Sequence, residues 1–120
     1  MLRLLTDSHV LPAVARAARK LAPIDVTPLR DWRGGRHLHE SDARLLELAW
    51  EDRLTFLTYD VNTVPLVVKE RLEAGLSHAG VVYVSARHRQ NAVGTIARGL
   101  VRLWRLEKDL DWINRIRFLD

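Results

Sequence analysis

Short runs of apolar residues alternate along the chain with stretches in which apolar positions recur every three or four residues. The runs at 2–6, 24–27, 55–59 and 80–85, with a closing run at 113–119, read as strands. Between them Val14, Ala17, Ala18 and Leu21 predict a helix opening at Pro12, and Leu45, Leu46, Leu48 and Ala49 predict one over 42–52. Val64, Val67, Val68 and Leu72 predict a third helix ending at Gly75, and Val93, Ile96, Ala97, Leu100, Val101 and Trp104 mark a long fourth one. Pro12 and Pro65 suit a helix's first turn, where the missing N–H costs nothing, and Ser41 is a good N-cap. Residues 29–39 hold no period and contain Gly34-Gly35, which predicts a loop with at most one helical turn. Strand–helix alternation of this kind predicts one α/β domain with a mostly parallel, doubly wound sheet. In that architecture ligands bind beyond the carboxyl ends of the strands.

Composition narrows the chemistry. The 120 residues, 48% hydrophobic and 28% charged, are ordinary for a globular domain able to bury its own core. There is no cysteine, so disulfides, thiolate catalysis and thiolate-bound zinc are excluded. Nowhere do 18 uncharged apolar residues run together and no secretory leader is visible, so a cytoplasmic protein without a membrane span is expected. The net charge of +4 rests on arginine, lysine occurring only at Lys20, Lys69 and Lys108. Guanidinium suits phosphate contact, but a balance of this size also serves any solvated surface.

Polar residues at the ends of the apolar runs are the candidate chemistry. Asp7 follows the first run, Asp42 opens the second helix and Asp60 follows the third run. Three carboxylates brought together repel one another unless a cation neutralises them, and Mg²⁺ or Mn²⁺ takes such oxygen ligands. The alternative is that Asp42 only caps its helix and Asp60 only starts a turn. Of the histidines, His9 could reach the edge of such a site, and His37-Leu38-His39 lacks the second ligand pair a zinc site requires. Arg98, Arg102 and Arg105 lie on one face of the fourth helix, as a nucleic-acid stripe or a solvated face would. Trp32, Trp50, Trp104 and Trp112 read as core or interface residues, Trp32 in its basic loop being open to base stacking as well. Dinucleotide, P-loop and hydrolase-elbow motifs do not occur.

The segments Leu4-Leu-Thr-Asp7-Ser-His-Val, Glu40-Ser-Asp42-Ala-Arg-Leu-Leu-Glu-Leu-Ala49 and Leu57-Thr-Tyr-Asp60-Val-Asn-Thr63 resemble, in order and spacing, the PIN-like (PilT N-terminus-like) family of small bacterial proteins. That family is related to the VapC-type toxin ribonucleases. The resemblance implies a three-layer α/β/α domain and a Mg²⁺- or Mn²⁺-dependent endoribonuclease, the toxin half of a toxin–antitoxin pair. Asp7, Asp42 and Asp60 would be catalytic and hold the metal with Asn62, while Thr58, Ser8 and Thr63 would orient water or ligand. Arg30, Arg33 and Arg36 would grip RNA phosphates. RNA and a cognate antitoxin protein are the implied partners, with homodimerisation through Trp104 and Trp112 as a further expectation. Two positions depart from the family's pattern: Ser8 and Asn62 stand where relatives carry acids, which lowers the expected metal affinity. Two other readings fit the residues: a receiver-like phospho-acceptor domain with Asp60 as acceptor, and a catalytically silent PIN-like binding protein.

Overall fold

A computed structural model of the chain describes residues 1–85 and 87–119. The elements follow one another as β1 (Arg3–Thr6), α1 (Pro12–Leu21), β2 (Asp25–Pro28), a 3₁₀ turn (Trp32–Gly35), α2 (Asp42–Asp52), β3 (Thr55–Thr58), α3 (Val64–Glu73), β4 (Val81–Val84), α4 (Val93–Glu107) and β5 (Ile116–Leu119). The five strands form one sheet in the order β2-β1-β3-β4-β5, every pair parallel. Helices cover both faces, giving a three-layer α/β/α domain.

The three inner strands carry the apolar runs because both of their faces are covered. Leu4, Leu57, Val82 and Val84 pack under α1 and α4, while Leu5, Phe56, Val81 and Tyr83 pack under α2 and α3. Pro28 lies inside β2, which an edge strand tolerates because its outward N–H has no ladder partner to lose. The closing strand begins later than the apolar run predicts. Asn114 takes a positive φ of 60° in a turn, so pairing starts only at Ile116. Gly80, at φ 100°, brings the chain against Trp112, where a Cβ would stand 2.8 Å from the Trp112 carbonyl oxygen.

The steps β2-to-β3, β3-to-β4 and β4-to-β5 all advance the same way along the sheet, yet α2 and α3 lie on one face and α4 on the other. The last crossover therefore has the opposite hand to the two before it, a departure from the usual uniform right hand of parallel sheets. It sets α4 beside α1. It also leaves the α3-side face of β5 uncovered, so Ile116 and Phe118 are exposed.

Burial bears out the core reading of three tryptophans. Trp104 and Trp112 are buried in the core under α1 and α4 and present no dimer surface. Trp32 is buried as well, its ring under the Arg33 guanidinium and 5.4 Å from the His37 ring, so it offers no face to a base.

Candidate metal centre

The register of the sheet explains why the acids gather. Thr6 pairs with Leu57 and Thr58 with Tyr83, so Asp7, Thr58 and Tyr83 follow one another across the carboxyl ends of β1, β3 and β4. Asp7 is two residues beyond Leu5 and Thr58 two beyond Phe56, which turns both side chains toward α2. Between β1 and β3 the strand order reverses, the place where open parallel sheets bind ligands. Asp7 follows β1 and Asp60 follows β3.

Asp7 is only 6% exposed and is held from two sides. Its Oδ1 accepts from the Ser8 backbone N–H at 2.7 Å and from the Ser8 hydroxyl at 3.4 Å, and its Oδ2 accepts from the Thr58 hydroxyl at 2.8 Å. The Thr58 oxygen in turn accepts from the Asp60 backbone N–H at 3.0 Å. Asp60 Oδ1 accepts from the N–H groups of Asn62 and Thr63 at 3.0 and 2.8 Å, just ahead of α3. Thr58 is thus the pivot of a chain running from Asp7 to the Asp60 loop.

Asp42 is the first residue of α2, whose N-cap Ser41 accepts from the Arg44 N–H at 3.2 Å. Partial burial raises its carboxyl above the ordinary aspartate value, the charges of Asp7 and Asp60 push it further up, and His9 pulls against them. The three acids share one electrostatic field, with His9 at its rim. Asp60 moves the other way, held down chiefly by the Thr63 N–H, against desolvation, with help from Asn62 and His9. Tyr83, 2% exposed, has its phenol pushed up to about 12 by burial and by the Asp60 charge. Its hydroxyl is buried without a hydrogen-bond partner among the described residues.

The acids do not form the closed ligand set expected from the sequence. Among the described residues no three acids and histidines stand close enough to hold one ion together. Asp7 is tethered to Ser8 and Thr58, and Asp60 is turned onto its own loop amides. The donor set still fits a hard divalent cation. Each carboxylate has about four lone-pair sites, and the bonds to Asp7 and Asp60 leave some of them open.

The remaining expected residues divide. Ser8 and Thr63 serve the acids as hydrogen-bond donors, and the Thr58 hydroxyl is likewise spent on Asp7 rather than left for water. Asn62 contributes its backbone N–H to Asp60. Arg30 lines a cleft of about 260 Å³ beside Asp7, Ser8, Pro12, Pro28 and Leu38. Arg33 is withdrawn: its guanidinium pairs with Asp52 at 3.0 Å and Glu51 at 3.8 Å, and Arg36 bonds back to the Arg33 carbonyl. The basic loop therefore supplies Arg30 to the acid edge, while Arg33 ties the loop to α2. The site residue that sequence reasoning missed is Tyr83. Its signal was present: a hydroxyl-bearing aromatic ring inside the otherwise apolar run of β4. No family model, no curated protein and no solved structure matches the chain.

Proposed function

We propose that the protein is a metal-dependent endoribonuclease, the toxin component of a toxin–antitoxin pair, working at the edge formed by Asp7, Asp42 and Asp60. The observation that carries the reading is geometric: Asp7 and Asp60 follow the adjacent parallel strands β1 and β3 at the switch point of the sheet, joined through Thr58, and the charges of both reach Asp42 in the first turn of α2. A divalent cation relieves that repulsion. Asp7 and Asp42 would hold it, with Asp60 anchoring a water to it and Asn62 at the margin. A bound Mg²⁺ or Mn²⁺ supplies an activated water and charge neutralisation at a phosphodiester. The chain's own contribution is positional: Thr58 and Ser8 fix the Asp7 carboxylate, the Asn62 and Thr63 amides fix Asp60, and Arg30 offers a guanidinium to a phosphate in the adjoining cleft. The antitoxin partner rests on the family resemblance alone.

Incubation of the purified protein with RNA and Mn²⁺ is the test. Cleavage by the wild type and its loss in Asp7→Asn and Asp60→Asn is the expected result; no cleavage with either Mg²⁺ or Mn²⁺ refutes the catalytic reading.

The strand order β2-β1-β3-β4-β5 favours one alternative, since phospho-acceptor domains with the acceptor aspartate after β3 share it. Two observations weigh against that alternative. Ser8 stands where a second acid beside Asp7 is needed, and α4 lies on the opposite face from α2 and α3. A mass increase at Asp60 after exposure to a small phosphodonor would favour the alternative.

A further inference from the structure

The reversed last crossover places α4 against α1, and together the two helices form a surface unlike the rest of the molecule. A groove of about 620 Å³ runs between them, lined by Leu21, Arg98, Val101, Arg102, Arg105 and Leu106. Val101 is buried at its floor, while Leu21 and Leu106 are 49% and 75% exposed at its walls. Arg98, Arg102 and Arg105 follow one another at intervals of four and three along α4, so three guanidinium groups rim one side of an apolar trough.

These charges are uncompensated. Neither Arg98, Arg102 nor Arg105 forms an ion pair among the described residues. Arg98 and Arg105 reach only Thr95 Oγ1 and the Leu21 carbonyl, each at 3.4 Å. α1 carries Arg16, Arg19 and Lys20 and no acid. The single acid of α4, Glu107, is bound to Arg115 and Arg117. Long guanidinium side chains beside exposed leucines, with no carboxylate within the two helices to answer them, ask for a ligand that is apolar on one face and anionic on its flanks.

We propose that the α1–α4 groove docks an acidic amphipathic helix of a partner protein, its leucine-like side chains entering between Leu21 and Leu106 and its carboxylates meeting Arg98, Arg102 and Arg105. A second copy of this chain is a poor occupant, because two-fold apposition would set one arginine row against another. Nucleic acid fits less well than an acidic helix. Phosphates would satisfy the guanidinium groups but leave the leucines unfilled, and the aromatic ring of this helix, Trp104, is buried and presents no stacking platform. The surface does not depend on the nuclease reading. Leu21 ends α1, and the Lys108 carbonyl just past α4 accepts from the Leu2 N–H, so the groove lies toward the amino ends of the strands, away from Asp7 and Asp60.

The test is an NMR titration of the full ¹⁵N-labelled chain with a synthetic helix-forming peptide carrying leucines at helical spacing flanked by glutamates. Parallel titrations use the same peptide with glutamine for glutamate, and a single-stranded RNA oligonucleotide. Shifts centred on Leu21 and on residues 98–106 are expected, with Kd weakened about tenfold in the combined Arg98→Ala, Arg102→Ala, Arg105→Ala variant, as three half-exposed ion pairs warrant. The glutamine peptide should show a similar loss, and Arg102→Glu should recover binding to a lysine-flanked peptide. All three arginines are exposed, so their replacement leaves the melting temperature unchanged. Equal binding of the glutamate and glutamine peptides, shifts elsewhere on the molecule, or tighter binding of the RNA than of the peptide at this groove would each overturn the proposal.

Discussion

Replacing Thr58 by valine keeps the shape of a fully buried side chain on β3 and removes the oxygen that joins Asp7 to the Asp60 loop. Losing a hydrogen bond to a charged acceptor costs about 1.5–3 kcal/mol. The Asp60 N–H also loses its acceptor but lies in a part-buried position, which places that loss near the low end, about 1 kcal/mol. The added methyl returns about 0.8 kcal/mol, leaving a net destabilisation of about 2–3 kcal/mol. For 120 residues the unfolding entropy is about 250 cal/mol/K, so each kcal/mol lowers Tm by about 4 °C and the variant should melt about 8–12 °C lower. Urea unfolding should give the same loss with an unchanged m-value. In a double-mutant cycle with Asp7→Asn, the two changes should couple by about 1 kcal/mol or more, because both remove the same bond. A Thr58→Val protein within about 0.5 kcal/mol of wild type, the scatter of ordinary surface substitutions, would refute the view that Thr58 organises the acid edge.

Three further outcomes follow from the same geometry. Because the Asp42 carboxyl is raised above 3.8, its ionised form costs the folded state stability above that raised value, and the cost fades as pH falls through it toward 3.8. Asp42→Asn should therefore melt higher than wild type at pH 7 in EDTA, lose that advantage in acid, and fall below wild type in saturating Mn²⁺. Glu107 is opposed by burial but held below its ordinary 4.5 by Arg115 and Arg117, so it stabilises the fold above 4.5 and the gain is lost as pH falls through its lowered value. Glu107→Gln should cost about 1–2 kcal/mol at pH 7 by urea unfolding, with the gap closing in acid. Gly80→Ala meets both a positive φ and the Trp112 carbonyl oxygen, and should cost about 2–4 kcal/mol by the same measurement; a loss under about 1 kcal/mol would mean that the Trp112 turn yields easily.

Most of the fold could be read from the chain because its signals are local. The runs ending at Thr6, Thr58 and Val84 are apolar on both faces, as inner parallel strands must be, and Pro12, Ser41 and Pro65 mark helix starts by their own chemistry. The parallel register then carried Asp7 and Asp60 to one edge. What could not be read depends on distant partners. The face taken by α4 is a choice between two packings that share one apolar periodicity, and it decided that Trp104 and Trp112 are core rather than dimer surface. Arg33 looked free in its basic loop until Asp52 and Glu51 were brought to it across the fold. The distance between carboxylates was hidden for the same reason, since it depends on which amides and hydroxyls each one meets.

Mn²⁺ titration followed by paramagnetic line broadening in the ¹⁵N spectrum tests the metal centre most directly. Selective loss of the Asp7, Ser8, Asp42 and Asp60 amide signals as Mn²⁺ is added, abolished in Asp42→Asn, is the expected result. No broadening at millimolar Mn²⁺, or broadening centred elsewhere on the surface, would contradict a metal-dependent function for this edge.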